Sequence, residues 1–194
     1  DNISYRMRLT TGVEGGDYEG AFDPRTATGY VRKPQDDSVV TELLINGTRY
    51  IGGEPPLQKL PADKGRGEKY GRYGQYPGKH DHLSLYGGPD TVLGAAAPNP
   101  AALFKALRTA TVTENPDGSV HFEYAEKARD GSSTSSGDVT LDADGRIARV
   151  VLTTAWRSTA KGELQQGTTT STLELFDYGT KVSVKRPKDV VPAR

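Results

Sequence analysis

Apolar and polar positions alternate with a period of two along much of the chain, and short turn signals interrupt the alternation. Residues 3–13, ISYRMRLTTGV, put Ile3, Tyr5, Met7, Leu9, Thr11 and Val13 on one face and Ser4, Arg6, Arg8 and Thr10 on the other, as a half-buried strand does. In YEGAFDPRTATGYVRK, Tyr18, Gly20 and Phe22 keep the period, Asp23-Pro24 breaks it, and it resumes near Gly29. VVTELLINGTRYIGG reads as a hairpin, because Asn46-Gly47 suits the two positive φ angles of a type I′ turn.

From Glu54 to about Pro100 the pattern dissolves into proline, glycine and charge, with short helical turns conceivable near 83–85 and 91–96. One clear helix follows. Asn99-Pro100 supplies an N-cap and a first-turn proline, and Leu103, Phe104, Leu107 and Ala110 fall on one stripe. The chain then returns to strands, with hairpins about Asp117-Gly118 and Asp144-Gly145 and with Val120, Phe122 and Tyr124 alternating. Val150, Leu152 and Trp156 fall on one side of the strand that follows, Val151 on the other. TTTSTLELFDYG and KVSVKRP complete a count of nine to eleven strands joined mostly by tight hairpins, which predicts an antiparallel meander.

The expected fold class is therefore α+β, mostly β: one domain over 1–194, built on a strongly curved antiparallel sheet. One or two helices and the irregular segment 54–98 would cover its concave face. At 34% hydrophobic residues with 23 glycines, the core must be spread over a sheet and not gathered into a deep globule. Formal net charge is zero, 25 basic against 25 acidic residues, so no global field draws nucleic acid. The absence of cysteine excludes disulfides and thiolate chemistry, and no run approaches a membrane-spanning length. The chain starts at Asp1 and enters a strand almost at once, which predicts an upstream segment removed by processing or by deliberate truncation.

The chemistry-bearing motifs are sparse. His80-Asp81-His82 offers two imidazoles to a metal but no evident third ligand, so solvated loop histidines are expected and no metal. Asp142-x-Asp144-Gly145 opens like a calcium loop, yet its last ligand position falls on Thr153, which leaves a hairpin turn. Ser132, Ser133, Ser135 and Ser136 lie in DGSSTSSGD, which reads as polar hairpin tip; no nucleophile elbow or phosphate loop occurs, and Asp36-Asp37 read as exposed loop. No enzyme activity and no cofactor are expected. In KYGRYGQYPGKHDHLSLYGG, Tyr70, Tyr73, Tyr76 and Tyr86 can each bury a ring and keep a hydroxyl wet, the makings of a lid over an apolar groove; rings that simply close the core are the equal alternative.

The helix NPAALFKALRTA, the turn LDADGRIARVVL and the ending LELFDYGTKVSVKRPKDVV resemble the LolA-like envelope lipoproteins of actinobacteria, the LppX and LprG type. ISYRMRLTTG, YEGAFDPRTATGYV and ELLINGTRYI follow the same order. The resemblance implies a half-barrel with helices in its concavity, export to the outer face of the cytoplasmic membrane, tethering there by a lipidated N-terminal cysteine, and a cavity that carries lipid.

Together these readings give a non-enzymatic, extracytoplasmic, monomeric protein holding a lipid or other amphiphilic small molecule. Tyr5, Met7, Leu9, Leu43, Ile45, Phe122, Tyr124, Val151 and Trp156 are the candidate lining. The polar composition of 54–98 points to an alternative: an envelope interaction or sensory module with a filled core that regulates a membrane partner. A saccharide binder using the exposed tyrosines is the lesser third reading.

Overall fold

A computed structural model describes residues 3–12, 16–35, 38–54, 73–84, 100–129, 131–160 and 162–193. Within them lie β1 (Tyr5–Thr11), β2 (Gly16–Asp23), β3 (Thr28–Gln35), β4 (Ser38–Ile45), β5 (Thr48–Glu54), β6 (Tyr73–Tyr76), α1 (Pro100–Leu107), β7 (Thr111–Glu114), β8 (Val120–Ala128), β9 (Gly131–Leu141), β10 (Ile147–Ala160), β11 (Glu163–Phe176) and β12 (Val190–Pro192). The described chain is mostly β, with one short helix. It falls into two compact units: Asp1–Met7, Gly16–Leu85 and Phe176–Arg194 form the first, and Arg8–Gly15 with Tyr86–Leu175 the second.

In the first unit the strand order is β12-β6-β5-β4-β3-β2-β1. β2 to β6 form an antiparallel meander. The Asn46-Gly47 turn takes φ of 48° and 80°, as its residue types predicted, and pairs Ile45 with Thr48. Period-two burial places Tyr5, Met7, Tyr18, Phe22, Val31, Leu44 and Tyr50 in the core, with the Tyr5 ring edge-on to Phe22 at 6.2 Å. Each such side chain contributes about 1.5–3 kcal/mol on burial. Gly20 is needed where β2 meets β3, since a Cβ there would lie 2.4 Å from the Tyr30 carbonyl oxygen.

The second unit orders its strands β1-β11-β10-β9-β8-β7. β10 and β11 are 14 residues each and pair antiparallel over 12 of them, 149–160 against 163–174, and β9 flanks β10. The helix packs on β8, burying Leu103 and Ala106, and Thr109 caps its last turn by donating from both N–H and hydroxyl to the Ala106 carbonyl. Lys105 sits in that last turn, where a cation complements the helix dipole.

Several expectations are corrected. KVSVKRP is not a strand; the chain runs irregularly from 180 to 187 and pairs only at Val190–Pro192, parallel to β6, so the sheet is not wholly antiparallel. Residues 73–76, expected to be irregular, form β6, because β5 and β12 supply hydrogen-bond partners that a four-residue stretch cannot reveal locally. DGSSTSSGD is no hairpin tip: β9 starts at Gly131, and Ser133 and Ser135 are 3% and 1% exposed. Small hydroxyl residues tolerate the pleat, and the long β10 beside them extends the ladder. The Asp142–Gly145 stretch is the expected turn: the Asp142 carboxylate accepts from the N–H of Asp144 and Arg146, and Gly145 takes φ 76°.

Candidate ligand-binding face

Register in the second unit aligns residues across β8, β9, β10 and β11 in rows that share one face of the sheet. At one end lie Val120, Val139, Val150 and Leu173; next come Phe122, Gly137, Leu152 and Ser171. The third row is Tyr124, Ser135, Thr154 and Thr169, and the fourth is Glu126, Ser133, Trp156 and Gly167. The face thus grades from aliphatic through hydroxyl to a carboxylate beside an indole.

The apolar end is packed: Phe122 and Val150 are fully buried, and Leu152 and Leu173 nearly so. Gly137 makes this possible, because a Cβ there would overlap the Val151 carbonyl oxygen, closer than any side chain tolerates. The Phe122 and Tyr124 rings stack at 6.0 Å. In the third row the hydroxyls of Ser135 and Thr154 share a hydrogen bond of 2.8 Å; burial pushes the Tyr124 phenol above its ordinary pKa, while its hydrogen bond to Ser135 acts the other way.

The fourth row is more open. The Trp156 indole lies across Gly167, whose hypothetical Cβ would be 2.9 Å from Cζ2, so only glycine lets the ring lie so close to β11. Trp156, Tyr124 and Glu126 are all half-buried. Burial holds the Glu126 carboxyl above the ordinary range, and the Lys105 ammonium of the helix partly offsets it. Between them the Ser133 hydroxyl is buried without a hydrogen-bond partner among the described residues, as is Ser171 two rows away. Such orphaned hydroxyls are unusual in a folded protein and leave donor capacity on this face unused. No local signal marks Ser133 and Ser135 as buried, because their partners on β8 and β10 are set by cross-strand register.

Of the nine candidate lining residues, Phe122, Tyr124 and Trp156 share this face. Val151 belongs to the opposite face, in register with Asp138 and Thr172. Leu9 is fully buried, also in the second unit; Tyr5 and Met7 are buried in the first, where Leu43 and Ile45 are half-buried, flanking a fully buried Leu44. Of the four tyrosines assigned to a lid, Tyr70 and Tyr86 lie outside the described residues, as do Asp36, Asp37, Asn99 and most of 54–98. Tyr73 is buried in β6 and Tyr76 half-buried.

The histidine stretch has a different role in the first unit. His80 Nε2 bonds the Pro77 carbonyl at 3.0 Å and His82 Nδ1 bonds Asp81, so the two rings face separate partners. Among the described residues no group of three His, Asp or Glu is placed to hold a metal ion. The stretch is strapped to the β4–β5 hairpin: the His80 N–H donates to the Gly47 carbonyl, Arg49 donates to the His82 carbonyl at 3.0 Å, and the Ser84 N–H donates to Glu42 at 2.8 Å. Glu42 and Arg49 form an ion pair with Nε 2.8 Å from Oε1, the carboxylate wholly buried and the guanidinium side chain 13% exposed. The Nε–H is not aligned with that oxygen, so the contact is Coulombic and not an aligned hydrogen bond. Burial, then the Arg49 charge, lowers the His80 pKa.

Compared with family models, with curated proteins and with solved structures, the chain matches none of them.

Proposed function

We propose that the protein is a non-catalytic binding protein of the bacterial cell envelope that holds an amphiphilic ligand against the graded face of β8–β11. In this reading the sheet belongs to the LolA-like half-barrel that the sequence resembles, and the protein works outside the cytoplasmic membrane on a lipid tether. One observation carries it: a single face passes from aliphatic side chains through hydroxyls to a half-exposed indole, the polarity order of an amphiphile. A ligand would lay its apolar portion along the half-buried Tyr124 and Trp156 rings, where the packed aliphatic end gives way, and its polar portion over Ser133 and Glu126. At about 0.8 kcal/mol per buried methylene, eight methylenes would contribute roughly 6 kcal/mol before ordering costs.

Trp156 is the only tryptophan, so its emission reports on this face alone. Titration with a lysophospholipid below its micellar concentration is expected to shift that emission to the blue, and organic extraction of protein purified from membranes is expected to release a co-purifying amphiphile. Unchanged emission together with an empty extract would overturn the reading.

A second reading, a filled interaction module for a membrane protein partner, is favoured by the near-complete burial of Tyr5, Met7, Leu9 and Phe122. It predicts the empty extract and, instead, capture of an integral membrane protein by crosslinking.

A further inference from the structure

Between Thr180 and Lys188 the chain carries Lys181, Lys185, Arg186 and Lys188 and no acidic residue. All four are exposed, whereas Val182, Val184 and Pro187 are half-buried, the alternation of an extended strap that anchors its apolar side and turns its cations out. None of the four has an ion-pair partner among the described residues, whereas Arg6, Arg25 and Arg49 of the same unit are engaged with Asp177, Asp23 and Glu42. The first unit as a whole holds 16 Lys and Arg against 13 Asp and Glu, so the neutral total conceals a basic unit.

The strap is fastened at both ends. Before it, the Gly179 N–H donates to the Ser4 carbonyl, the Ser4 hydroxyl donates to the Thr180 carbonyl at 2.7 Å, and the Thr180 N–H donates to the Asp177 carbonyl. After it, the Tyr73 N–H donates to the Asp189 carbonyl, β12 pairs with β6, and the Ala193 N–H donates to the Gln75 carbonyl. Four cations are therefore held out with little of the ordering cost that a free basic tail meets on binding.

From these observations we infer that residues 181–188 form an electrostatic docking strip for an anionic lipid bilayer, additional to any covalent lipid tether. The strip has no aromatic residue between Lys181 and Lys188, so it lacks the stacking platform on which single-stranded nucleic acid is bound. A row of exposed cations without a pocket or a bidentate fork reads charge density, not shape, and a plane of anionic headgroups supplies charge density. Each Lys or Arg near such a surface contributes about a fivefold gain in partition. The valines and proline face inward, so attachment is electrostatic and reversible by salt.

The test is cosedimentation of the full chain with vesicles of 30 mol% phosphatidylglycerol in phosphatidylcholine, against vesicles of phosphatidylcholine alone. The expected result is binding to the anionic vesicles only, lost in high salt, and weakened about 25-fold by the pair Lys185→Gln and Arg186→Gln. The pair Lys127→Gln and Arg129→Gln, in the second unit, removes equal charge and is expected to change partition by less than about threefold. Both pairs are exposed, so unchanged thermal melting verifies that folding is intact. Equal binding to neutral vesicles, equal losses from the two pairs, or strip-dependent binding of a single-stranded oligonucleotide with none to vesicles would each overturn the inference. Vesicle binding does not require the amphiphile face, so Trp156→Ala should leave it intact.

Discussion

Replacing Arg49 by Met isolates the energetics of the one deeply buried ion pair described. Two unit charges 2.8 Å apart attract by roughly 6 kcal/mol at an effective dielectric constant of about 20, and the cost of taking both from water offsets much of that. Removing one partner is different from never having had the pair. Glu42 has no solvent exposure, so Arg49→Met takes the Arg49 cation from a buried carboxylate that keeps the Ser84 N–H, and is expected to cost about 3–5 kcal/mol, which corresponds to a melting shift of roughly 6–20 °C for a chain of this size. The same change removes the bond from Arg49 to the His82 carbonyl, so residues 77–84 should loosen first. Differential scanning calorimetry and hydrogen exchange at the His80 amide are the assays. The doubly substituted Glu42→Gln, Arg49→Met protein, free of the buried charge, should recover at least half of the loss. An Arg49→Met protein within 1 kcal/mol of the parent, or a double variant as unstable as the sum of both singles, would refute the argument that the charge is paired because it is buried.

Three further outcomes are expected. Gly137→Ala should lower stability by about 3 kcal/mol or more in urea denaturation, since its Cβ meets β10 backbone that cannot rotate aside. Trp156→Ala should weaken amphiphile binding at least tenfold while shifting the melting midpoint far less than Phe122→Ala, which opens a cavity in the core costing about 3–5 kcal/mol; equal stability losses would place both residues in the core. His80 should make the stretch 77–84 acid-sensitive. Its folded pKa lies below the ordinary value, so the unfolded chain binds the proton more tightly, and stability present above pH 6.5 declines as pH falls below it until the folded pKa is passed. Hydrogen exchange at the His80 amide compared at pH 7.5 and pH 5.5, after correction for intrinsic rates, should show that loss in the parent and a smaller one in His80→Gln.

The sequence by itself determined most of the strands and the hairpins about Asn46-Gly47, Asp117-Gly118 and Asp144-Gly145, because period-two alternation and turn residues are local properties, whereas β6, β12 and the serine half of β9 escaped it. It also marked Phe122, Tyr124 and Trp156 as residues of interest, although it could not join them, since facing rows depend on register between strands far apart in sequence. Only tertiary structure made Ser133 and Ser135 core residues: burial is a property of what packs over a side chain, and a serine run looks the same on a loop or in a sheet. The same holds for Glu42, Arg49 and the strap at 181–188. A carboxylate in a strand pattern reads as exposed until a guanidinium is brought to it. A basic run reads as solvated tail until hydrogen bonds at both ends fix where its charges point.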